Sequence, residues 1–275
     1  MARHARRLSD TAAGLTGRVD CTTARGVMLP PPPPDLLRDA ALFLDFDGTL
    51  VDLAATPDAT HVDAALRDLL GTLAVALDGR VAIVSGRAVA GIRGMLDAPG
   101  FAISGSHGLE IAWPDGRHDR AERPAALDRI VERMKAFATT RPGILVEEKP
   151  LGAALHYRGA PDAAPASHAL AGELAADAGL HLQTGKMMVE IRVPGADKGS
   201  AIATMMRTPS FAGHRPVFLG DDDTDEPGMI AAQALGGAGI LIGEPRRTAA
   251  RYGLASVAAT RAWLADAAQA AGCVA

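Results

Sequence analysis

Short apolar runs alternate along this chain with longer stretches in which apolar residues recur every three or four positions. Residues 40–44 are an unbroken apolar run, expected to be a buried strand. Leu66, Leu69, Leu70 and Leu73 then repeat at helical spacing, which predicts a helix over 62–77. A β-branched run at 81–84, a helical stretch at 89–96 and an apolar run at 101–104 continue the alternation. After a long interval it resumes, with strands expected at 216–219 and 239–242. Strands that alternate with helices build parallel βαβ units, so the expected fold class is α/β with a doubly wound parallel sheet.

Between residues 113 and 194 that rhythm breaks. Helices are expected at 127–138 and 163–178. Strands at 145–148 and 153–157 read as one hairpin, and 180–183 with 187–193 as a second, with Gly185 in its turn. Two helices and two hairpins inside a doubly wound chain predict an inserted α+β cap lying over the strand ends, where it would shield a reacting group from water. The expected organisation is a core of residues 35–112 and 195–275 around a cap of 113–194. The first 34 residues differ from both. They carry Arg3, Arg6, Arg7, Arg18 and Arg25 without sustained apolar periodicity and end in consecutive prolines from Pro30 to Pro34, which reads as a mobile basic tail closed by a stiff spacer, with a basic docking arm as the alternative.

Composition narrows the function classes. With 275 residues, 48% of them hydrophobic, the chain can build one large or two modest cores. A net charge of −4 argues against a nucleic-acid partner, and no apolar run approaches a membrane span. Cys21 and Cys273 stand near opposite ends, outside metal-ligand spacing, which makes a reducing, cytoplasmic setting the expectation.

The candidate chemistry stands at the strand ends. Asp45-Phe46-Asp47-Gly48-Thr49-Leu50 follows the first strand, and in an open α/β sheet ligands bind at the carboxyl ends of strands. Paired carboxylates are costly unless a cation or a shared proton relieves them, and their complement is a hard divalent ion such as Mg2+. The N–H groups of Gly48 and Thr49 offer a place for an anion. Carboxylate attack on a phosphoryl group is the chemistry this suggests. An Asp-Gly turn after a strand is the plainer alternative. Ser85 and Arg87 follow the second strand: the hydroxyl suits a phosphoryl oxygen, and the guanidinium would hold a phosphate or tie down its loop. Lys198 opens a helix, where it would neutralise nucleophile and phosphate together. Gly220-Asp221-Asp222-Asp223-Thr224-Asp225-Glu226 crowds carboxylates at another strand end; Asp221 is assigned to metal, with Asp222 and Asp225 as auxiliaries.

The nucleophile motif, Ser85-Gly86-Arg87, Lys198 and the acidic loop, in this order, resemble the haloacid dehalogenase superfamily of phosphatases. Closer still, the acidic loop together with Gly105-Ser106-His107-Gly108-Leu109-Glu110, Glu147-Glu148-Lys149, Leu155-His156-Tyr157-Arg158 and Gly185-Lys186-Met187-Met188-Val189-Glu190-Ile191-Arg192 is similar to the trehalose-6-phosphate phosphatase family over roughly residues 41–263. One departure is visible: Val193 precedes Pro194 where the family often has proline directly.

The resemblance implies a Mg2+-dependent phosphomonoesterase acting on trehalose 6-phosphate. Asp45 would be the nucleophile and Asp47 the general acid/base, with Ser85 and Lys198 on the phosphoryl oxygens. Asp45, the Asp47 carbonyl and Asp221 would hold the metal. Arg87, His107, Glu147, Lys149, His156, Arg158, Lys186 and Glu190 are the candidate substrate contacts. A functional link to a trehalose-6-phosphate synthase also follows. Glu147, Lys149 and Glu190 could equally form a cross-strand ion-pair cluster on a cap face. Another sugar phosphate, such as sucrose 6-phosphate or mannosyl-phosphoglycerate, is compatible with the core motifs, and a catalytically silent phosphosugar sensor is the rival from a different class.

Overall fold

The computed structural model describes residues 28–54, 59–97 and 100–272. The basic stretch expected to be mobile and both cysteines lie outside them. In chain order the elements are β1 (Ala40–Leu44), α1 (Ala64–Ala76), β2 (Val81–Val84), α2 (Val89–Leu96), β3 (Ala102–Gly105), β4 (Glu110–Ala112), β5 (His118–Arg120), α3 (Ala126–Thr139), β6 (Leu145–Lys149), β7 (Gly152–His156), α4 (Ala164–Ala178), β8 (His181–Gly185), β9 (Met188–Arg192), α5 (Lys198–Met205), β10 (Arg215–Gly220), α6 (Glu226–Ala234), β11 (Ala238–Ile242), β12 (Tyr252–Leu254) and α7 (Val257–Gly272).

An 8-stranded sheet in the order β12-β11-β10-β1-β2-β3-β4-β5 forms the core. Strands β12 through β3 in that order run parallel, and β4 and β5 fold back antiparallel. Every residue of β1 is buried, because helices cover both faces. Leu42 and Leu44 pack with Leu66, Leu70, Ile92 and Leu264 of α1, α2 and α7. Ala41 and Phe43 face the other way, onto Ile202 and Met205 of α5 and Met229 of α6. The chain winds from β1 towards β3 on one side and from β10 towards β12 on the other. The junction of β1 and β10 is thus a topological switch point, where a crevice opens at the strand ends.

The cap is a 4-stranded antiparallel sheet, β6-β7-β9-β8. Strand periodicity gives it two unlike faces. Ala153, Leu155, Val189 and Ile191 point one way and pack on Leu127, Ile130 and Met134 of α3 and on Ala171 and Leu174 of α4. Glu147, Ala154, Glu190 and Gln183 lie in one register row across the four strands on the opposite face.

Three details depart from the sequence reading. The large sheet extends through β5, so its boundary falls beyond residue 112. Gly185 ends β8, and Lys186 with Met187 makes the turn, Met187 at φ 61°. The proline run is docked rather than free: Leu29 packs against the core, Pro32 is buried, and Gly253 N–H donates to Pro30 O at 3.0 Å. Strand β12 is a sheet edge with an outward N–H to satisfy, and a proline-rich segment has carbonyls with no partner of their own.

Candidate active site

Asp45 stands at the carboxyl end of β1, 4% exposed. Lys198 Nζ lies 2.6 Å from Asp45 Oδ1 and 2.6 Å from Asp225 Oδ1. The lysine is the first residue of α5, whose start is set by a reciprocal cap between Asp197 and Ser200. Gly199 lets this turn press on the next loop, since a Cβ there would fall 2.4 Å from Pro227 O. Burial alone would lower the Lys198 pKa, but Asp225 and Asp45 outweigh it and hold the ammonium above its ordinary range. Burial, and then the charges of Asp225 and Asp221, push the Asp45 carboxyl well up against the opposing pull of Lys198.

Asp221 approaches from the end of β10. Gly48, at φ 84°, is what admits it: a Cβ on Gly48 would lie 2.2 Å from Asp221 Oδ2. Burial first, then the charges of Asp225 and Asp222, push the Asp221 pKa up to about 7. Asp45, Asp221 and Asp225 can each bring one oxygen within 4.8 Å of the others. Asp225 is already committed, however: Oδ1 takes Lys198 and Oδ2 accepts the N–H groups of Asp221 and Asp222, both at 3.0 Å. Asp225 therefore shapes the loop, and Asp45 and Asp221 are left as the hard oxygen donors. This all-oxygen set, crowded enough to raise both carboxyls, fits a small divalent cation such as Mg2+. Asp222 caps the loop by accepting from Thr224 N–H at 2.6 Å.

Asp47 is gripped by Arg87, with Nε 2.5 Å from Oδ2 and Nη2 2.8 Å from Oδ1. Arg87 also donates to Thr60 Oγ1 at 2.7 Å. The guanidinium thus ties down the loop that carries Asp47. Gly48 N–H is spent within the turn on Val51 O at 2.7 Å, so it does not face an anion as expected. Ser85 is buried at the end of β2, with Arg87 N–H on its Oγ at 3.2 Å.

The cap's polar face closes the other side of a cavity of about 560 Å3. Asp45, Asp47, Ser85, Arg87, His107, Lys198 and Asp221 line it from the core, and Glu147, His156, Arg158, Lys186 and Glu190 from the cap. Of the expected site residues Lys149 alone is not on the wall. Its ammonium sits behind Glu190, 2.8 Å from Oε2. Burial would lower the Lys149 pKa, but Glu190 and Glu147 raise it above its ordinary value. Burial would likewise raise the Glu190 carboxyl, yet the Lys149 charge holds it at about 2. His156 Nε2 lies 2.8 Å from Glu147 Oε2, and with Lys149 it overcomes burial to keep Glu147 below the usual carboxylate range. Both readings of the cap charges therefore coexist: they pair with each other, and Glu147 and Glu190 still face the cavity.

Sequence reasoning assigned no role to several contributors. Gln183 lines the cavity, and Arg246 packs behind the acidic loop with Nη2 2.7 Å from Asp222 O and Nη1 2.5 Å from Glu226 Oε1. Glu110 is buried and accepts from Val89 N–H at 3.0 Å and Ser106 Oγ–H at 2.9 Å. The acidic character of the 221–226 loop called for a counter-cation such as Arg246, but nothing local marks which arginine supplies it.

A haloacid dehalogenase-like hydrolase from Bacteroides thetaiotaomicron superposes on 82% of this chain and 98% of its own with a TM-score of 0.60 at 14% identity, a likeness of fold. The fold is thus that of haloacid dehalogenase-like hydrolases, with the Asp45 carboxylate at the end of β1. The family model for trehalose-phosphatase matches residues 43–242, and the chain belongs to that family. It is 41% identical over 207 residues to a probable trehalose-phosphate phosphatase of Sinorhizobium fredii, covering 74% of this chain and 78% of that one. It is 36% identical over 233 residues to the trehalose-6-phosphate phosphatase of Escherichia coli, covering 84% and 87%. No helix among the described residues is long and apolar enough to cross a membrane.

Proposed function

We propose that this phosphatase hydrolyses trehalose 6-phosphate to trehalose and phosphate through an aspartyl-phosphate on Asp45. The observation that carries the reading is the pairing of a buried Asp45–Lys198 centre with a cap face that turns the carboxylates of Glu147 and Glu190 onto the same cavity. A hydroxyl-covered disaccharide is discriminated by charged and amide groups that match its hydroxyls, since mismatched buried polar groups penalise wrong sugars.

In the first half-reaction an Asp45 oxygen bonds to phosphorus as the bond from phosphorus to the sugar oxygen breaks, and a protonated Asp47 gives its proton to that oxygen. In the second, Asp47 takes a proton from water, the water oxygen bonds to phosphorus, and phosphate leaves with the Asp45 carboxylate restored. Arg87 takes one lone pair on each Asp47 oxygen in this structure, which leaves the other lone pairs of the carboxylate to carry the proton. Lys198 and Ser85 offer donors to the phosphoryl oxygens. Asp45, Asp221 and the Asp47 carbonyl would hold Mg2+, which supplies positive charge beside the phosphoryl group.

Phosphate release measured across trehalose 6-phosphate, sucrose 6-phosphate, mannosyl-phosphoglycerate and p-nitrophenyl phosphate tests this reading. The expected result is a preference for trehalose 6-phosphate by about a hundredfold in kcat/KM. Preference for another sugar phosphate overturns the substrate, and no release from any ester overturns the enzyme reading in favour of a sensor.

A further inference from the structure

His107 and Gln183 meet across the gap between core and cap. His107 follows β3 in a left-handed backbone at φ 57°, directly after Ser106 at φ 50°. Two successive non-glycine residues in that region are strained, and Glu110 holds them there through Ser106 Oγ. The ring Nε2 of His107 lies 3.2 Å from Gln183 Nε2. On its other side Gln183 Oε1 accepts from Arg192 Nε at 2.9 Å. A guanidinium only donates, so Oε1 has to face Arg192 and the amide N–H has to face His107. His107 Nε2 is therefore the acceptor, and the ring is neutral with its proton on Nδ1. Burial favours that neutral form; Glu190, 3.7 Å away, opposes it, and Lys149 and Lys198 assist it.

Arg192 carries the contact onward. Its Nη1 donates to Ala196 O at 2.8 Å and Val193 O at 3.4 Å, within the segment that returns the chain from β9 to α5. His107 Nε2 also stands 3.7 Å from Glu190 Oε2, a second approach of core to cap.

We propose that Gln183 is a positioning residue, a latch whose carboxamide holds the cap over Asp45 by joining His107 of the core to Arg192 at the hinge. The kinetic arm of its test rests on the phosphatase reading above; the exchange arm does not. Gln183→Leu removes both bonds while keeping side-chain size. Gln183→Glu keeps the acceptor for Arg192 but cannot donate to a neutral His107, and it regains that partner when His107 takes a proton.

Hydrogen–deuterium exchange of the 193–197 amides is measured on substrate-free protein, and KM and kcat on trehalose 6-phosphate. In Gln183→Leu the exchange quickens and KM rises, each by about tenfold, and kcat falls less. In Gln183→Glu both effects shrink as the pH is lowered from about 8 to about 6, and in Gln183→Leu they do not. Unchanged exchange in folded Gln183→Leu overturns the latch, even if KM rises, because Gln183 would then act on the sugar directly. So does a Gln183→Glu protein that behaves like Gln183→Leu at every pH. Should Gln183→Leu fail to fold, the Gln183→Glu pH series decides. A wild-type chain inactive on trehalose 6-phosphate would sink the functional proposal and leave the exchange result to judge this one.

Discussion

Arg87 engages both carboxylate oxygens of Asp47 although the two residues are 40 positions apart in the chain. A bidentate guanidinium fixes a carboxylate in direction as well as in place. If this grip serves the acid/base group, its loss should matter most where the departing oxygen needs a proton. Arg87→Lys is expected to lower kcat on trehalose 6-phosphate by about ten- to a hundredfold and on p-nitrophenyl phosphate, whose leaving group departs unaided, by much less. Equal losses on both esters would instead assign Arg87 to the phosphate, and paired steady-state kinetics make the distinction.

Asp45→Asn keeps the side-chain shape and removes the proposed nucleophile. Turnover should fall by about 10³-fold or more while the melting temperature stays within a few degrees, as read by phosphate release and thermal unfolding. Near-normal turnover in the folded variant would refute the covalent route.

Removal of divalent metal should silence the enzyme, and Mg2+ should restore it. Asp221→Ala, which leaves of the cluster's metal-facing carboxylates only Asp45, one of whose oxygens is already on Lys198, should raise the Mg2+ concentration for half-activity by about tenfold or more and abolish any Mg2+-induced rise in melting temperature. Full activity in thoroughly chelated protein would exclude the metal.

The Glu190–Lys149 pair makes cap stability depend on acid. The Glu190 carboxyl is held at about 2 against an ordinary 4.5, so its contribution is complete above the unfolded value and disappears as the pH falls through about 2. The shift corresponds to on the order of 3 kcal/mol. Melting temperature recorded between about pH 6 and pH 2 should fall steeply in the wild type. Glu190→Gln should start lower, because Lys149 is left buried without its partner, and should show a flatter acid slope. An unchanged slope would mean that the pair is not coupled to folding.

Shortening the chain tests the docked proline run. A chain beginning at Met28 should melt like the full one if the described contacts are the ones that matter. A chain beginning at Asp35 loses Leu29, Pro32 and the Pro30–Gly253 bond. It should melt about 2–4 °C lower for each kcal/mol those contacts supply. Equal melting of both shortened chains would show that the contacts contribute nothing.

The parts of this architecture that were legible in the sequence are those in which one local pattern had one structural solution. The runs at β1, β2 and β10 are apolar without interruption because both sheet faces are covered, and each ends where polarity returns at Asp45, Ser85 or Asp221. Strand β5 was missed because His118-Asp119-Arg120 is exposed at the sheet edge and carries no apolar alternation. Helix α7 is rich in alanine, so its buried and exposed faces differ little in polarity. Pairings were less legible still. Lys149 reads equally as a sugar contact or as a member of a cross-strand ion-pair cluster and is turned onto Glu190, and Gln183 carries no charge or motif, so its position between His107 and Arg192 depends wholly on how strand β8 aligns with β9.

The two-faced cap sheet separates what the protein tolerates from what it selects. Alternate residues of β7 and β9 belong to the packing with α3 and α4, and His156, Met188 and Glu190 between them line the chamber below. Exchanging residues of the chamber set leaves the apolar packing on the helices intact, although Glu190 also holds Lys149 and Gln183 meets His107 of the core. On the proposed reading, taste for a new phosphate ester is rewritten on a few alternate positions of short cap strands, with the reaction centre inherited unchanged.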